Sequence, residues 1–263
     1  MLENQDSKSR SQTGPLSLSS LLTPRQESKV RVACDECGAE FDALNLARWT
    51  RRRCDTCVAR MNAEEEAERQ AQASERAEHD QALRVHQAKI PELWKGVMFA
   101  TSDASINKGA FTRCRKYAES FSPRQSGSLY LWSQKYGPGK THLAACIANH
   151  VLHERKCRVR FQKARDLLLE IRHTYSDRSQ GDESDILDRV LSFDLLVLDD
   201  VGIGAPSQWL MDTYWTVFDR RLEAGLPVVV TANLPLHSAS GGESMGDRIG
   251  FGAESRLRRM CGE

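Results

Sequence analysis

The sequence is short of three things, and each shortage removes a class of function. Net charge is nearly absent: 37 Lys and Arg against 36 Asp and Glu leave +1. Any contact with nucleic acid must therefore come from local basic clusters, because the field of the whole molecule is weak. Long apolar runs are also missing: no stretch approaches the roughly 18 residues that span a bilayer, and the Ser- and Gln-rich start through Lys29 lacks the continuous apolar segment of a secretory signal. No membrane role is expected, and a cytoplasmic setting is favoured. Third, there is no internal repeat and no sustained apolar heptad, so neither a solenoid nor a coiled coil is expected.

What is present divides the chain into four stretches. Residues 1–29 mix Ser, Gln, Lys and Pro with too few apolar groups to offset chain entropy, and read as a disordered leader. Residues 30–60 hold paired cysteines and several arginines, and 61–89, without Gly or Pro, read as a solvated connecting helix. From Ile90 to Glu263 strand and helix signals alternate, the pattern of a doubly wound parallel sheet covered by helices. Strands are expected at 128–133, 158–162, 195–198 and 228–232, and helices at 140–154 and from Ala164 towards a polar loop at 176–183. Trp132, Trp209 and Trp215 fall at strand or helical spacing and read as core residues.

Of eight cysteines, four form two Cys-x-x-Cys pairs, while Cys114, Cys146, Cys157 and Cys261 are scattered, which favours a metal site in a reduced compartment over a disulfide framework. Cys34 and Cys37 are separated from Cys54 and Cys57 by sixteen residues, within the spacing of a four-cysteine zinc site. Such a shell is closed and structural, holding together a segment too small for its own core. Two redox-active dithiols would need a βαβ context that this stretch lacks. Arg48, Arg51, Arg52, Arg53 and Arg60 crowd the pairs and suit phosphate contact or protein docking equally; Trp49 and Phe41 suit packing around the metal as well as stacking on bases.

Gly137-Pro138-Gly139-Lys140-Thr141 sits between an expected strand and helix, the context of a phosphate-binding loop. Backbone N–H groups there can enclose phosphate oxygens, Lys140 can neutralise the β and γ phosphates of ATP, and the Thr141 hydroxyl can ligate Mg2+. The usual pattern begins with Gly where this chain has Gln134, a departure that matters if the position needs a positive φ. The apolar run after Asp194 ends in Asp199 and Asp200: Asp199 is placed to hold magnesium, directly or through water, and Asp200 to orient the attacking water. Asn233, after a run of valines, reads as a nucleotide sensor. Among Arg248, Arg256, Arg258 and Arg259, Arg256 is the candidate to reach the γ phosphate of a neighbouring subunit.

In this order the motifs resemble the DnaC/DnaI-type helicase loaders of the AAA+ class, including their phage relatives, and more distantly the IstB transposition helper ATPases. The carriers span residues 90–263: Ile90-Pro91-Glu92-Leu93, Gly139-Lys140-Thr141-His142-Leu143-Ala144 with Ile147-Ala148-Asn149, the stretch 195–202, Thr231-Ala232-Asn233-Leu234, and Arg248-Ile249-Gly250 followed by Ser255-Arg256-Leu257. The resemblance implies an ATP-dependent oligomer acting beside a DnaB-like replicative helicase, contact with single-stranded DNA, and an N-terminal module that grips the helicase. It implies the same roles for Lys140, Thr141, Asp199, Asp200, Asn233 and Arg256. Glu263 falls about where the family pattern continues into a last strand and helix, so slow turnover, or a partner that completes the sheet, is expected. Two other functions compete: a transposition or recombination ATPase, and a non-hydrolysing zinc adaptor with a vestigial phosphate loop.

Overall fold

A computed structural model describes residues 29–44, 52–105, 107–135, 137, 139–176, 188–238 and 241–262. The expected leader (bar Lys29), Arg48, Trp49, Arg51, Pro138 and most of the polar loop after Ser176 lie outside the described residues. The chain divides into two compact units with the boundary between Ser74 and Glu75.

In the first unit, β1 (Lys29–Ala33) and β2 (Glu40–Leu44) form an antiparallel hairpin, Ala33 opposite Glu40. Its turn is the first cysteine pair: the Cys34 N–H donates to the Ala39 carbonyl (2.9 Å) and the Gly38 N–H to the Cys34 carbonyl (2.9 Å). The second pair starts helix α1 (Asp55–Ala88). Cys54 precedes the helix and its carbonyl accepts from the Val58 N–H (3.0 Å), while Cys57 lies in the first turn. The expected connecting helix therefore begins inside the cysteine stretch and continues into the second unit.

The second unit follows in the order α2 (Lys108–Glu119), β3 (Leu129–Trp132), α3 (Lys140–His153), β4 (Val159–Lys163), α4 (Ala164–Ser176), β5 (Leu195–Val201), α5 (Gln208–Glu223), β6 (Val228–Ala232), α6 (Gly246–Ile249) and α7 (Phe251–Cys261). The strands form one parallel sheet in the order β3-β6-β5-β4. Side chains alternate across it: Leu195 and Val197 join a core with Ile147, Val151 and Phe121, and Leu196 and Leu198 join another with Phe218, Ile171 and Leu257. Burial on both faces explains why β5 and β6 read as unbroken apolar runs. Because the strands are parallel, the loops after β3 and β6 and the carboxylates of β5 emerge along one edge of the sheet, the edge where open α/β sheets bind ligands.

Candidate functional site

The strand after Asp194 does not stop at its carboxylates. β5 runs on to Val201, with Asp199 almost fully buried and Asp200 half-buried. Asp200 adopts φ 59°, a left-handed conformation that Asp tolerates better than most residues. Its N–H donates to the Thr231 hydroxyl (2.9 Å), and that hydroxyl donates to Asp199 Oδ1 (2.6 Å). The Thr141 hydroxyl donates to the same Oδ1 at 2.8 Å. One buried carboxylate oxygen thus joins the start of α3, β5 and β6.

Thr141 and Asp200 border a cavity of about 370 Å³ lined also by Gly137, Gly139, Lys140 and Asn233, with Trp94, His142 and Ile203 as its remaining wall. Gly137 and Gly139 have φ of 81° and 82°, where a Cβ would be strained, so glycine is required for the loop to turn into α3. The Gly139 carbonyl accepts the first helical bond, from the Leu143 N–H (2.9 Å), which leaves the N–H groups of the first turn without helical partners at the cavity. Lys140 Nζ donates to the carbonyls of Ser133 (3.3 Å) and Lys135 (3.4 Å). Gln134 is not among the described residues with positive φ, so its side chain does not strain the loop. Burial is the first cause raising the Asp200 carboxyl above the usual aspartate range, and the neighbouring Asp199 charge adds to it, while Lys163 and Lys140 pull the other way.

The donor chemistry fits magnesium, which takes carboxylate and hydroxyl oxygens: Thr141 Oγ1 and Asp199 Oδ1 meet at the start of α3.

Several wall residues were not among the expected site groups. Trp94 lies edge-on to the His142 ring at 6.0 Å, and its carbonyl accepts from the Asn149 side chain (2.9 Å), which also bonds the Val97 carbonyl (2.9 Å). His142 meets the Ser102 hydroxyl through Nε2 (2.7 Å). Thr231 did leave a trace in the sequence: it is the one hydroxyl in Val228–Ala232, and a polar group in a strand buried on both faces must have partners.

Arg256 does not reach this cavity. It lies on α7, paired through Nε with Asp219 (2.5 Å), stacked 4.5 Å over the Trp215 ring, and bonded to the Gly252 carbonyl (3.2 Å). Arg248 is held by Glu243 (2.6 Å) and the Gly204 carbonyl (3.2 Å). The tryptophan expectation needs correcting: Trp132 is 49% and Trp215 40% exposed. Trp132 ends an outer strand, and Trp215 turns one ring face to a guanidinium, which leaves both partly in water. Trp209 does pack against a core cluster.

In the first unit the sulfurs of Cys34, Cys37, Cys54 and Cys57 all lie within 4.8 Å of one another. Cys37 and Cys54 are 3.7 Å apart, close to the roughly 3.8 Å edge of a tetrahedron with Zn–S of about 2.3 Å. The Cys54 N–H donates to the Cys34 sulfur (3.3 Å), and backbone donors of this kind hold the Cys34 thiol down to about 6. Hydrogen bonds with Cys37 and Cys54, together with burial, push Cys57 up to about 12. Four sulfurs this close repel once ionised, and a dication among them offsets that repulsion. The donor set fits zinc.

Part of the sequence, and the fold, are similar to those of known proteins. The chain is 28% identical over 145 residues to the replicative helicase loader DnaC of Escherichia coli K12, covering 54% of this chain and 58% of that protein, so it spans little more than half the length of this curated relative. A crystal structure of the DnaC helicase loader superimposes with a TM-score of 0.56 at 22% identity, over 65% of this chain and 96% of the other. A crystal structure of DnaI does so with a TM-score of 0.52 at 22% identity, over 65% and 90%. Both likenesses show a shared fold. The sequence profile of the IstB-like ATP binding proteins matches residues 64–249, a stretch that holds the whole phosphate loop, both β5 carboxylates and Asn233, and the chain belongs to that family.

Proposed function

We propose that this chain binds ATP with magnesium at the C-terminal edge of its sheet and uses nucleotide-dependent switching to deliver a DnaB-like replicative helicase onto single-stranded DNA. The observation that carries the reading is the convergence of Lys140, Thr141, Asp200 and Asn233 on one cavity, with Asp199 held behind it by the Thr141 hydroxyl, in a chain similar to a protein named as a replicative helicase loader. The N–H groups of Gly137 and Gly139 and the Lys140 ammonium hold the phosphates; Lys140 exchanges its two backbone carbonyl contacts for phosphate oxygens. Thr141 and Asp199 hold magnesium, which supplies charge neutralisation at the β and γ phosphates when bound. Asp200 accepts a hydrogen bond from the attacking water and orients it. Asn233, at the end of β6 between β3 and β5, senses the γ phosphate.

Arg256 belongs, on this reading, to the site of an adjacent copy, and its engagement with Asp219 and Trp215 makes turnover slow until assembly redirects it. The four-cysteine module of residues 30–60, holding zinc, serves as the helicase grip, with α1 linking it to the ATPase domain of residues 90–263.

The test is magnesium-dependent ATP binding and turnover of the zinc-loaded protein and of Lys140→Ala, with and without single-stranded DNA and a replicative helicase. Losing the charged contacts of Lys140 is expected to weaken ATP binding about tenfold to a hundredfold, and helicase or DNA is expected to change turnover. If the unaltered protein binds helicase but no ATP under any condition, the zinc adaptor replaces this reading. The IstB-like family match keeps one alternative in view, a transposition helper ATPase, which predicts stimulation by a transposase and indifference to helicase.

A further inference from the structure

Strand β4 borders a cavity of about 230 Å³ that shares no lining residue with the nucleotide cavity. Its walls come from β4, the end of α1, the first two turns of α4 and the segment 189–193 that leads into β5. Three permanent cations line it, Lys89, Arg160 and Arg189, against one acid among the described residues, Glu170. Leu167, Val190 and Phe193, all buried, supply an apolar side.

Charge in this wall is poorly compensated. Arg160 is only 8% exposed, and its guanidinium donates to Gln162 Oε1 (3.2 Å), the Gln87 carbonyl (3.3 Å) and Glu170 Oε2 (3.5 Å), each at or beyond the long end of the usual range. Glu170 serves it only in part, because the same oxygen accepts a shorter bond from the Gln162 amide (2.9 Å) and the other oxygen faces Arg189 (3.7 Å). Burial holds the Arg160 guanidinium below its ordinary basicity; Glu170 works against that and Arg189 adds to it. A buried cation with weak partners is costly, and a hydrogen-bonded anion offsets the cost. The apolar side restricts which anion enters, since it packs against carbon and cannot solvate a second charge. A monoanion on an apolar body fits, and a bare dianion does not.

We propose that this cavity binds a carboxylate carried on a small aliphatic body, the group shared by short-chain organic acids and by the C-terminal residue of a protein ending in an aliphatic side chain. Arg160 and Arg189 take the carboxylate, which guanidinium groups bind through paired N–H donors. Lys89 adds charge at the exposed rim, and Leu167, Val190 and Phe193 take the alkyl chain. The volume falls below the roughly 300–1,000 Å³ of pockets for drug-sized ligands, which limits the body to a few carbons. This assignment stands apart from the nucleotide reading, so either can fail alone.

The test titrates the full chain with isovalerate and with acetylated glycyl-glycyl-leucine bearing a free C-terminus, reading affinity by calorimetry and the site by the Arg160 Nε–H resonance. Both ligands are expected to bind and to shift that resonance, and the same tripeptide with an amidated C-terminus is expected to do neither. Arg189→Ala, at an exposed position, is expected to weaken isovalerate about fivefold to tenfold. Lys89→Asn, a residue that tolerates the φ of 48° found there, is expected to weaken it about twofold to threefold. A tripeptide that binds more tightly than isovalerate supports the proposal with a partner's C-terminus as the source, and the reverse order supports it with a free acid. The proposal is overturned if neither carboxylate shifts Arg160 at millimolar concentration, if the amidated tripeptide binds as well as the acid, or if Arg189→Ala leaves affinity unchanged. Inorganic phosphate binding as tightly as isovalerate also overturns it, because the apolar side would then select nothing.

Discussion

Within the amino-terminal unit the described residues bury four side chains, those of Cys34, Ala43, Cys54 and Cys57, whereas the carboxyl-terminal unit encloses its sheet between two apolar clusters that include Phe121, Ile147 and Phe161 on one face and Phe218, Leu198 and Ile171 on the other. Three of those first four are thiols, so the apolar area behind the hairpin β1–β2 is too small to offset the entropy of ordering it. The second unit needs no such help. On the zinc reading, the two halves of this chain draw stability from different sources, a metal in one and apolar burial in the other, and should fail independently.

The largest expected effect follows directly. Removing zinc with a chelator, or substituting Cys34→Ser, removes a binding energy of about 10–16 kcal/mol in comparable small modules and is expected to abolish amide protection across β1 and β2. ATP binding by the second unit should survive. Hydrogen exchange and nucleotide titration on the same sample check both halves of the statement, and simultaneous loss of both would break the comparison.

The converse test is smaller in energy. Phe218 is fully buried and stacks with Tyr214 at 5.9 Å. Phe218→Ala is expected to cost about 3–5 kcal/mol through lost burial and the cavity left behind, read by urea denaturation of the second unit. Zinc affinity should not change.

The same difference decides what could be read from the sequence. Strands buried on both faces announce themselves: β6 was legible to the residue and β5 from its first residue, though β5 runs on through Asp199 and Asp200 to Val201. The phosphate loop was legible because its glycines, lysine and threonine answer to one ligand. The hairpin was missed although Val30, Val32, Phe41 and Ala43 alternate on one face: each run is short, its other face carries Lys29, Arg31, Glu40 and Asp42, and the register depends on the turn built on Cys34 and Gly38. Helix α2 escaped notice because its buried positions, Phe111, Cys114 and Ala118, are spread among Lys, Arg and Gly. The partners of Arg256 could not be foreseen either, since Asp219 and Trp215 are brought to it only by the packing of α5 on α7.

Within the second unit, Thr231 tests whether polar groups add to what the core supplies. Its hydroxyl is fully buried and serves both Asp199 and the Asp200 N–H. Thr231→Val keeps the shape and leaves a buried carboxylate oxygen and an N–H each short of a partner, at an expected cost of about 1–3 kcal/mol. ATP affinity should fall as well, because Asp199 loses the contact that fixes it against Thr141. A loss of stability with unchanged affinity would confine Thr231 to packing.

The smallest effect lies in the pH dependence of turnover. Asp200 has its carboxyl raised by burial first and by the Asp199 charge second, with Lys163 and Lys140 acting in the opposite direction. A raised carboxyl favours the neutral form in the folded state. Its contribution to stability is therefore complete below the ordinary aspartate value of about 3.9 and is lost as pH rises through the raised one. Orienting water needs the ionised form, so turnover should decline on the acid side at a pH above the usual aspartate range. Lys163→Met removes one of the two cations that lower the value and is expected to move this acid limb upward, while Asp200→Asn removes turnover without removing ATP binding. An acid limb that ignores Lys163 would assign the titration to another group and take the water-orienting role from Asp200.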